Sequence, residues 1–453
     1  MNFPLSLRNF PRPLLLAVAF CAPLDGQMAD FDAPPISYAS TPSKDLVARL
    51  AKRLEAGEAR LQYEKDRGYL AALLRELGVP ISSQVLVFSK TSFQRDLISP
   101  DAPRAVYFND EVYVGSVRYG PLLELAAMDP ELGSVFYTMT QDPTKPPKIQ
   151  RHNAECTQCH ASALTKGVPG VFVRSVYSDP AGQPVLKAGT FLTDHTSPFK
   201  ERWGGWYVTG THGAERHMGN AFLRSASGEP SDFDASRGAN WIDLKPRCSL
   251  EGYLSPHSDI VALMVLEHQT QLHNLLTAAS YQSRLALRDE SAIREMMKEP
   301  PGPPTESTKR RFQYLTESLL KYMLFIDEAP LSSAIVGTSK FAEEFSALGP
   351  RDSKGRSLRD FDLTQRLFRY PLSFMIYSDS IGRFPSAFRE YFYQRLLDVL
   401  SGKDTGRDFV KLTERDRTAL LEILRETKKD PPAAWWPAQP GPAASSNATR
   451  ARL

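Results

Sequence analysis

The chain has 453 residues, of which 42% are hydrophobic and 24% are charged. These proportions are typical of a folded protein with one large core or two smaller ones, and they exclude a mainly disordered chain. The net charge of +3, from 55 basic and 52 acidic residues, excludes the strongly basic surface that is typical of nucleic-acid-binding proteins.

The first residues have the pattern of an export signal. Arg8 and Arg12 provide a positive start, and the apolar run that follows is about 11 residues long, shorter than the roughly 20 of a bilayer span. A cleaved signal peptide at 1–24 is therefore favoured over an uncleaved anchor. A lipid anchor at Cys21 is disfavoured because Phe20 stands where a small residue is expected. We predict an exported, periplasmic protein without a transmembrane span in the mature chain.

The remaining chain divides into four stretches by composition. Residues 25–43 are rich in Pro, Ser and Asp and are predicted to form a linker. Residues 44–235 mix helical and β patterns, whereas 236–428 have mostly helical patterns. Residues 429–453 are rich in Pro, Ala and Ser and are predicted to be a disordered tail. The predicted fold class is α+β, with a mixed region of short strands and helices followed by a mostly α-helical region.

The predicted elements follow the hydrophobic periodicity along the chain. Leucines at i, i+3, i+4 and i+7 predict helix within 43–77. Runs of β-branched and aromatic residues then predict strands at 85–88, 105–108, 112–114, 134–139 and 171–177. Apolar residues at helical spacing predict helices at 259–287, 305–326, 338–347, 363–378, 385–401 and 413–427. In the tail, Trp435 and Trp436 are candidates for local docking.

One short motif carries most of the functional information. Cys156 and Cys159 are three positions apart, so both thiols lie on the same side of a helical turn, and His160 follows directly. Thiols placed in this way reach the two vinyl groups of a porphyrin, while the imidazole lies beneath the ring and can bind its iron. This spacing is the pattern of c-type haem attachment. The sequence therefore predicts one covalent haem c, with its iron bound by His160.

The cysteines also allow interpretations other than haem attachment. If Cys21 leaves with the signal, three cysteines remain, so they cannot all pair in disulfides. A structural zinc site would use Cys156, Cys159 and Cys248 together with a histidine. A redox dithiol requires a strand before the motif, but the preceding residues, 151–155, form a polar stretch. An unligated thiol pair or a simple disulfide is a further alternative. Cys248 is most simply a buried thiol.

The motif resembles that of c-type cytochromes, and the resemblance includes the Gly-Val-Pro-Gly segment at 167–170. It implies thioether bonds at Cys156 and Cys159, with His160 as the proximal iron ligand. The resemblance is confined to this segment. The chain is several times longer than a small cytochrome c and carries its motif in mid-chain. It is therefore more similar to the large single-haem proteins of environmental bacteria than to a simple carrier.

The second axial ligand decides between electron transfer and chemistry at the iron. Met218 follows His160 at a long separation, which resembles that between the axial ligands of small cytochromes. His217 is its neighbour and rival, and the sequence does not separate the two. His195 and His212 are further candidates, and a vacant position is the remaining alternative.

The segment before these residues is rich in tryptophan and glycine. Trp203 and Trp206 are candidates to pack against the porphyrin, and Arg202 or Arg216 to bind a propionate. Core packing of both tryptophans is an equally weighted interpretation. If the protein is an enzyme, its candidate acid–base groups are Asp194, His195 and His212.

Two functional classes follow from these residues. The first is a monohaem c-type cytochrome that exchanges electrons with a redox partner protein or with a small-molecule donor or acceptor. The second is a periplasmic haem-dependent oxidoreductase, peroxidase-like or dehydrogenase-like, with an open distal site. A structural zinc protein is a minor alternative. No nucleic-acid partner is expected from the charge balance.

Overall fold

The computed structural model describes residues 30–224, 228–404, 406–429 and 435. The predicted signal peptide at 1–24 lies outside these residues, as does nearly all of the predicted tail. An α+β fold is confirmed, with a sheet in the first half and helices dominating the second. Among the helices in the described ranges, none is long and apolar enough to cross a membrane.

The secondary structure of the described residues comprises short strands and helices of very different lengths. The strands are β1 (Val85–Val87), β2 (Arg104–Phe108), β3 (Val112–Ser116), β4 (Leu122–Asp129), β5 (Gly133–Thr140), β6 (Ile149–His152), β7 (Val173–Val176), β8 (Thr190–Thr193), β9 (Trp206–Tyr207), β10 (Gly210–Thr211) and β11 (Val336–Gly337). The helices are α1 (Leu46–Glu55), α2 (Leu70–Glu76), α3 (Ala154–His160), α4 (Ile260–Met297), α5 (Glu306–Met323), α6 (Phe341–Ala347), α7 (Asp379–Gly382), α8 (Ser386–Leu400) and α9 (Glu414–Thr427).

A seven-stranded antiparallel sheet organises the first half, in the order β6-β5-β4-β3-β2-β1-β9. Successive side chains of a strand point to opposite faces, so the strand register defines two faces. We call the face that carries Phe108, Tyr113, Ala126 and Phe136 the motif face, since the cysteine-containing helix α3 lies over it. The back face carries apolar residues that belong to a second core with α1 and α2.

Helix α4 runs through the centre of the molecule. Its N-terminus is capped by Asp259, whose carboxylate accepts hydrogen bonds from the backbone N–H groups of Val261 and Ala262. Apolar residues of α4 share one core with the motif face and with the helices that follow. The predicted boundary between 44–235 and 236–428 is therefore not a break in packing. The mostly helical region cannot bury its apolar surface without the sheet.

The predicted linker is a packed segment over its described residues. In the stretch 30–43, Ile36 and Tyr38 are buried in the back-face core. The Tyr38 hydroxyl also donates a hydrogen bond of 2.8 Å to the carbonyl of Ser134 on β5. The linker prediction is wrong there because the Pro-rich composition conceals two apolar side chains that the sheet can bury.

One further prediction differs from the structure, and one long strand is not predicted. Residues 363–378 do not form an α-helix but turns and one short 3₁₀ segment, Phe374–Tyr377. Pro371 cannot donate a helical hydrogen bond, and Leu363 has a left-handed φ of 57°. The sequence does not predict strand β4, because its Leu, Glu, Ala and Met residues favour helix. It is a strand because β3 and β5 pair with it on both sides.

At the end of the described chain, Trp435 is 1% exposed. Its ring lies edge-on to Tyr393 of α8, with 5.6 Å between ring centroids. The predicted docking of Trp435 is thus confirmed, whereas Trp436 lies outside the described residues.

Candidate haem-attachment site

The Cys-Thr-Gln-Cys-His motif occupies helix α3, directly after the edge strand β6. The stretch 151–155, which is polar in sequence, is therefore partly a strand. Its polar side chains have partners: the Arg151 guanidinium donates to the carbonyls of Thr41 and Tyr38, and a hydrogen bond of 2.8 Å joins His152 Nε2 to Thr138 Oγ1. These contacts hold the start of α3 on the sheet.

Both cysteines of the motif carry free thiols; Cys156 is partly buried and Cys159 is exposed. Burial, and next the charge of Glu155, raises the pKa of Cys156 to about 11. Redox-active dithiols have the opposite property, a lowered thiol pKa that supplies the reactive thiolate. The preceding strand alone would fit such a dithiol, but the electrostatics of Cys156 do not.

The imidazole of His160 has one nitrogen engaged. His160 Nδ1 lies 2.9 Å from the carbonyl oxygen of Gly170. A carbonyl only accepts, so Nδ1 carries the proton and the lone pair is on Nε2. Burial lowers the pKa of His160, which favours the neutral ring that can bind a metal. This arrangement, with the second nitrogen donating to a carbonyl, is typical of metal-binding histidines.

Aromatic rings flank this imidazole on the motif face. The ring of Phe136 on β5 lies 4.9 Å from that of His160, and the ring of Phe172, just before β7, lies 5.5 Å away. His160 and Phe172 are only partly buried. Two apolar rings therefore flank the His160 imidazole, which is partly accessible to solvent.

No group of three or more His, Cys, Asp or Glu side chains in the described residues is arranged to hold a metal ion. Cys156 and Cys159 thus do not close around a common point with His160. A porphyrin makes a different demand, because its vinyl groups lie at its rim and its iron lies at its centre. Cys248 is buried in the back-face core, whereas Cys156 packs against the core of the motif face. No described contact therefore joins Cys248 to Cys156 or Cys159, and the zinc alternative stays a prediction.

An ion pair near the motif has no signal in the sequence. Arg104 on β2 and Glu124 on β4 form a salt bridge of 2.7 Å, with side chains 22% and 15% exposed. It crosses Gly115 of β3, where an added Cβ would overlap the Arg104 guanidinium. After burial and the Gly170 bond, these two charges act in opposite directions on the pKa of His160. Only the strand register brings them near the motif.

The two favoured candidates for the second axial ligand have other surroundings. Met218 is buried, and its sulfur lies 3.6 Å from the hydroxyl of Ser175. His217 is also buried, next to Trp203, and neither of its ring nitrogens has a hydrogen-bond partner. In the described part of the chain, no hydrogen bond or ring contact joins either residue to His160. Their role as an iron ligand stays a prediction.

The other polar candidates have structural partners. His212 accepts from the backbone N–H of Asn240 and contacts the carbonyl of Glu215, so both of its nitrogens are engaged. His195 lies 2.8 Å from His268 between their Nδ1 atoms. The Asp194 carboxylate accepts two hydrogen bonds from Thr196 in a local turn. None of these three is brought to the motif by a described contact.

The tryptophan-rich segment is core. Trp203 is fully buried and donates its indole N–H to Glu267, at 3.1 Å. Trp206 is 7% exposed and donates to the carbonyl of Arg174. Arg202 is paired with Glu267 at 2.6 Å with both side chains buried, so it is not available to a propionate.

The motif thus offers two free thiols on one helical turn and an imidazole with a free Nε2. The Arg216 guanidinium is exposed and bonds to neighbouring backbone carbonyls, so it is not positioned at the motif by those contacts.

Comparison with known proteins adds no assignment: neither a family model, nor a curated protein, nor a solved structure matches this chain.

Proposed function

We propose that the protein is an exported monohaem c-type cytochrome, with haem bound to Cys156 and Cys159 and with His160 as the proximal iron ligand. The observation that carries this proposal is the state of His160. Its Nδ1 is committed to the carbonyl of Gly170, so its free Nε2 is the nitrogen available to iron, directly after two free thiols.

The residues of the motif fit a covalently bound haem. Haem supplies one-electron chemistry at its iron when it is bound. Cys156 and Cys159 would each bond the rim of the ring through sulfur. The carbonyl of Gly170 holds the imidazole in one tautomer and one orientation, and it raises the basicity of Nε2. Phe136 and Phe172 provide apolar contact beside that imidazole.

Export is part of the same proposal. The basic start and the short apolar run at 1–24 are typical of a signal peptide. Covalent haem attachment of this type takes place outside the cytoplasm, so the motif and the signal point to the same compartment. The partner is then a redox protein or a small donor or acceptor that reaches the haem there.

A haem-dependent oxidoreductase is the second candidate. It is favoured by the burial of the ligand candidates His217 and Met218, which are 1% and 2% exposed, whereas His160 is only partly buried. An iron without a protein ligand on its second face can bind small molecules. Peroxidase-like or dehydrogenase-like chemistry would then take place on that face.

Mass spectrometry of the full-length chain, expressed with signal peptide in a host that has the cytochrome c maturation machinery, tests the haem. We expect the mass of the mature chain plus one haem, retained after denaturation. The double variant Cys156→Ser/Cys159→Ser should lose that mass. Cys248→Ser is the matched control and should keep it, because this thiol lies in the back-face core. A wild-type protein that weighs only its amino acids contradicts the proposal.

Carbon monoxide separates the two candidates. An absorption spectrum of the reduced haem protein should be unchanged by CO if two protein ligands hold the iron. If one face is open, the Soret band shifts on CO addition. Met218→Ala and His217→Ala then identify the ligand, since only loss of the true ligand should convert an unresponsive protein into a CO-binding one.

A further inference from the structure

A buried amide of the long helix α4 contacts the segment that holds His160 in place. Asn274 accepts a hydrogen bond of 3.2 Å from the backbone N–H of Val171 and donates one of 2.8 Å to the carbonyl of the same residue. Its side chain is fully buried. One side chain thus satisfies both backbone groups of a single residue in an irregular segment.

Val171 directly follows the residue that orients the candidate iron ligand. Gly170 accepts from His160 Nδ1 at 2.9 Å, and its own N–H donates to the carbonyl of His160 at 2.8 Å. A chain of three contacts therefore runs from Asn274 through Val171 and Gly170 to the imidazole. A displacement of the segment by a few tenths of an ångström would lengthen the Nδ1 hydrogen bond, whose strength depends steeply on geometry.

The contact between α4 and this segment leaves no spare space. A Cβ added to Gly170 would overlap Asn274 Oδ1, and it would lie 3.0 Å from Thr165 Cβ. Gly170 is not among the residues with positive φ, so its backbone conformation does not require glycine. The absence of a side chain at 170 is required by the approach of Asn274.

We propose that Asn274 is a positioning residue for the haem iron: through Val171 it sets the hydrogen bond between Gly170 and His160, and thereby the electron donation from His160 to iron. The inference rests on the proposed haem function. A well-aligned Nδ1–H···O bond makes the imidazole a stronger donor, which stabilises oxidised iron. Loss of the amide should therefore raise the reduction potential.

The test compares two buried amides of α4 in the matured, haem-bearing chain. Asn274→Leu removes both hydrogen bonds to Val171 and keeps the branched skeleton of the side chain. Gln269→Met is the control, because Gln269 is equally buried on the same helix but donates to Asn109 and Tyr113 at the β2–β3 turn. The readouts are the midpoint potential and the electron paramagnetic resonance spectrum of oxidised haem, which reports axial-imidazole orientation.

We expect Asn274→Leu to raise the ratio of reduced to oxidised haem at a fixed potential by about threefold, less than the roughly 10–100-fold effects of direct outer-shell partners. The resonance spectrum should change too, while Gln269→Met leaves both readouts as in the wild type. Asn274→Ala, which removes the same amide without adding volume, should shift the potential in the same direction. This variant decides the matter if Asn274→Leu does not accumulate.

The inference is overturned if haem-bearing Asn274→Leu has the wild-type potential and spectrum, or if Gln269→Met changes them equally. It is likewise overturned if Asn274→Leu fails to accumulate and Asn274→Ala leaves the potential unchanged. Mass spectrometry separates this failure from that of the proposed function: if the wild type carries no haem, both fall together, whereas haem without a shift refutes the role of Asn274 alone.

Discussion

Two regions of this molecule use histidine in opposite ways. On the short helix α3, His160 is partly buried, and one of its nitrogens is bonded to a carbonyl while the other is free. On α4, His268 is fully buried and both of its nitrogens are engaged, by His195 and by Ser373, each at 2.8 Å. The first imidazole keeps a lone pair at an open surface, whereas the second is committed to the core.

The charges of the two regions differ in the same way. Arg202 and Glu267, beside His268, are 3% and 0% exposed. Burial raises the pKa of Glu267, and the adjacent Arg202 guanidinium counters that rise. Arg104 and Glu124, near His160, reach the solvent. The central region thus contains a closed polar network that stabilises the fold, while the motif region retains groups that a ligand can contact. This contrast predicts which substitutions affect stability and which affect the proposed haem attachment.

The largest stability effect is expected at the buried ion pair. Arg202→Met leaves the Glu267 carboxylate without its partner, so we expect a loss of about 3 kcal/mol in the free energy of unfolding. Urea denaturation measures it. Lys309→Met, which removes an exposed pair with Glu306, should cost under about 0.5 kcal/mol. Equal losses for the two variants would contradict the expected difference between the buried and the exposed ion pair.

A smaller loss is expected at the partner of His268. Ser373→Ala removes the hydroxyl that contacts His268 Nε2 and leaves this buried nitrogen unsatisfied, at a cost of about 1–3 kcal/mol. Thermal and urea unfolding should both report it. Ser401→Ala, at an exposed hydroxyl, is the control and should be nearly neutral. A neutral Ser373→Ala would mean that His268 does not depend on this hydrogen bond.

The pH dependence of stability should reveal a buried neutral histidine. Burial lowers the pKa of His273 to about 4, so between pH 4 and 6.5 the unfolded chain binds a proton that the folded chain does not. The contribution of neutral His273 to the free energy of unfolding is therefore complete above pH 6.5 and is lost as the pH falls towards 4. Between pH 7.5 and 5.5 the wild type should lose about 1.4 kcal/mol more than His273→Gln. Parallel pH profiles of the two proteins would refute this assignment.

The smallest effect is expected inside the motif itself. Gln158 is exposed on α3, so Gln158→Ala should change stability by less than about 0.5 kcal/mol. It should also leave haem attachment intact, because the residues between the cysteines act only as spacers. Unfolding curves and the mass of the mature protein check both points. Loss of haem in this variant would show that attachment needs more than the two thiols and the imidazole.

Several elements are predictable because their signals are local. The apolar periodicity within 259–287 marks α4, and the β-branched runs at 105–108 and 112–114 mark β2 and β3. Strand β4 escapes prediction because its composition favours helix, and pairing on both sides outweighs that preference. The region 363–378 has helical periodicity, but Pro371 interrupts it.

For the candidate site too, only the residues that are close together in the sequence are predictable. The spacing of Cys156, Cys159 and His160 follows from chain geometry within one helical turn. The carbonyl of Gly170 and the amide of Asn274 come from other segments of the chain, and no local pattern marks them as neighbours of the motif. The same holds for Arg104, which the strand register brings near the motif.

By itself, the sequence determined the spacing of Cys156, Cys159 and His160 and the elements with strong periodicity, because both depend on residues within a few positions of one another. Only the tertiary structure decided that His160 combines a free nitrogen with a partly exposed ring, since that depends on hydrogen-bond partners and burial supplied by distant segments. It also decided that the sheet and the central helix share one core, because an apolar face shows in the sequence but its partner does not.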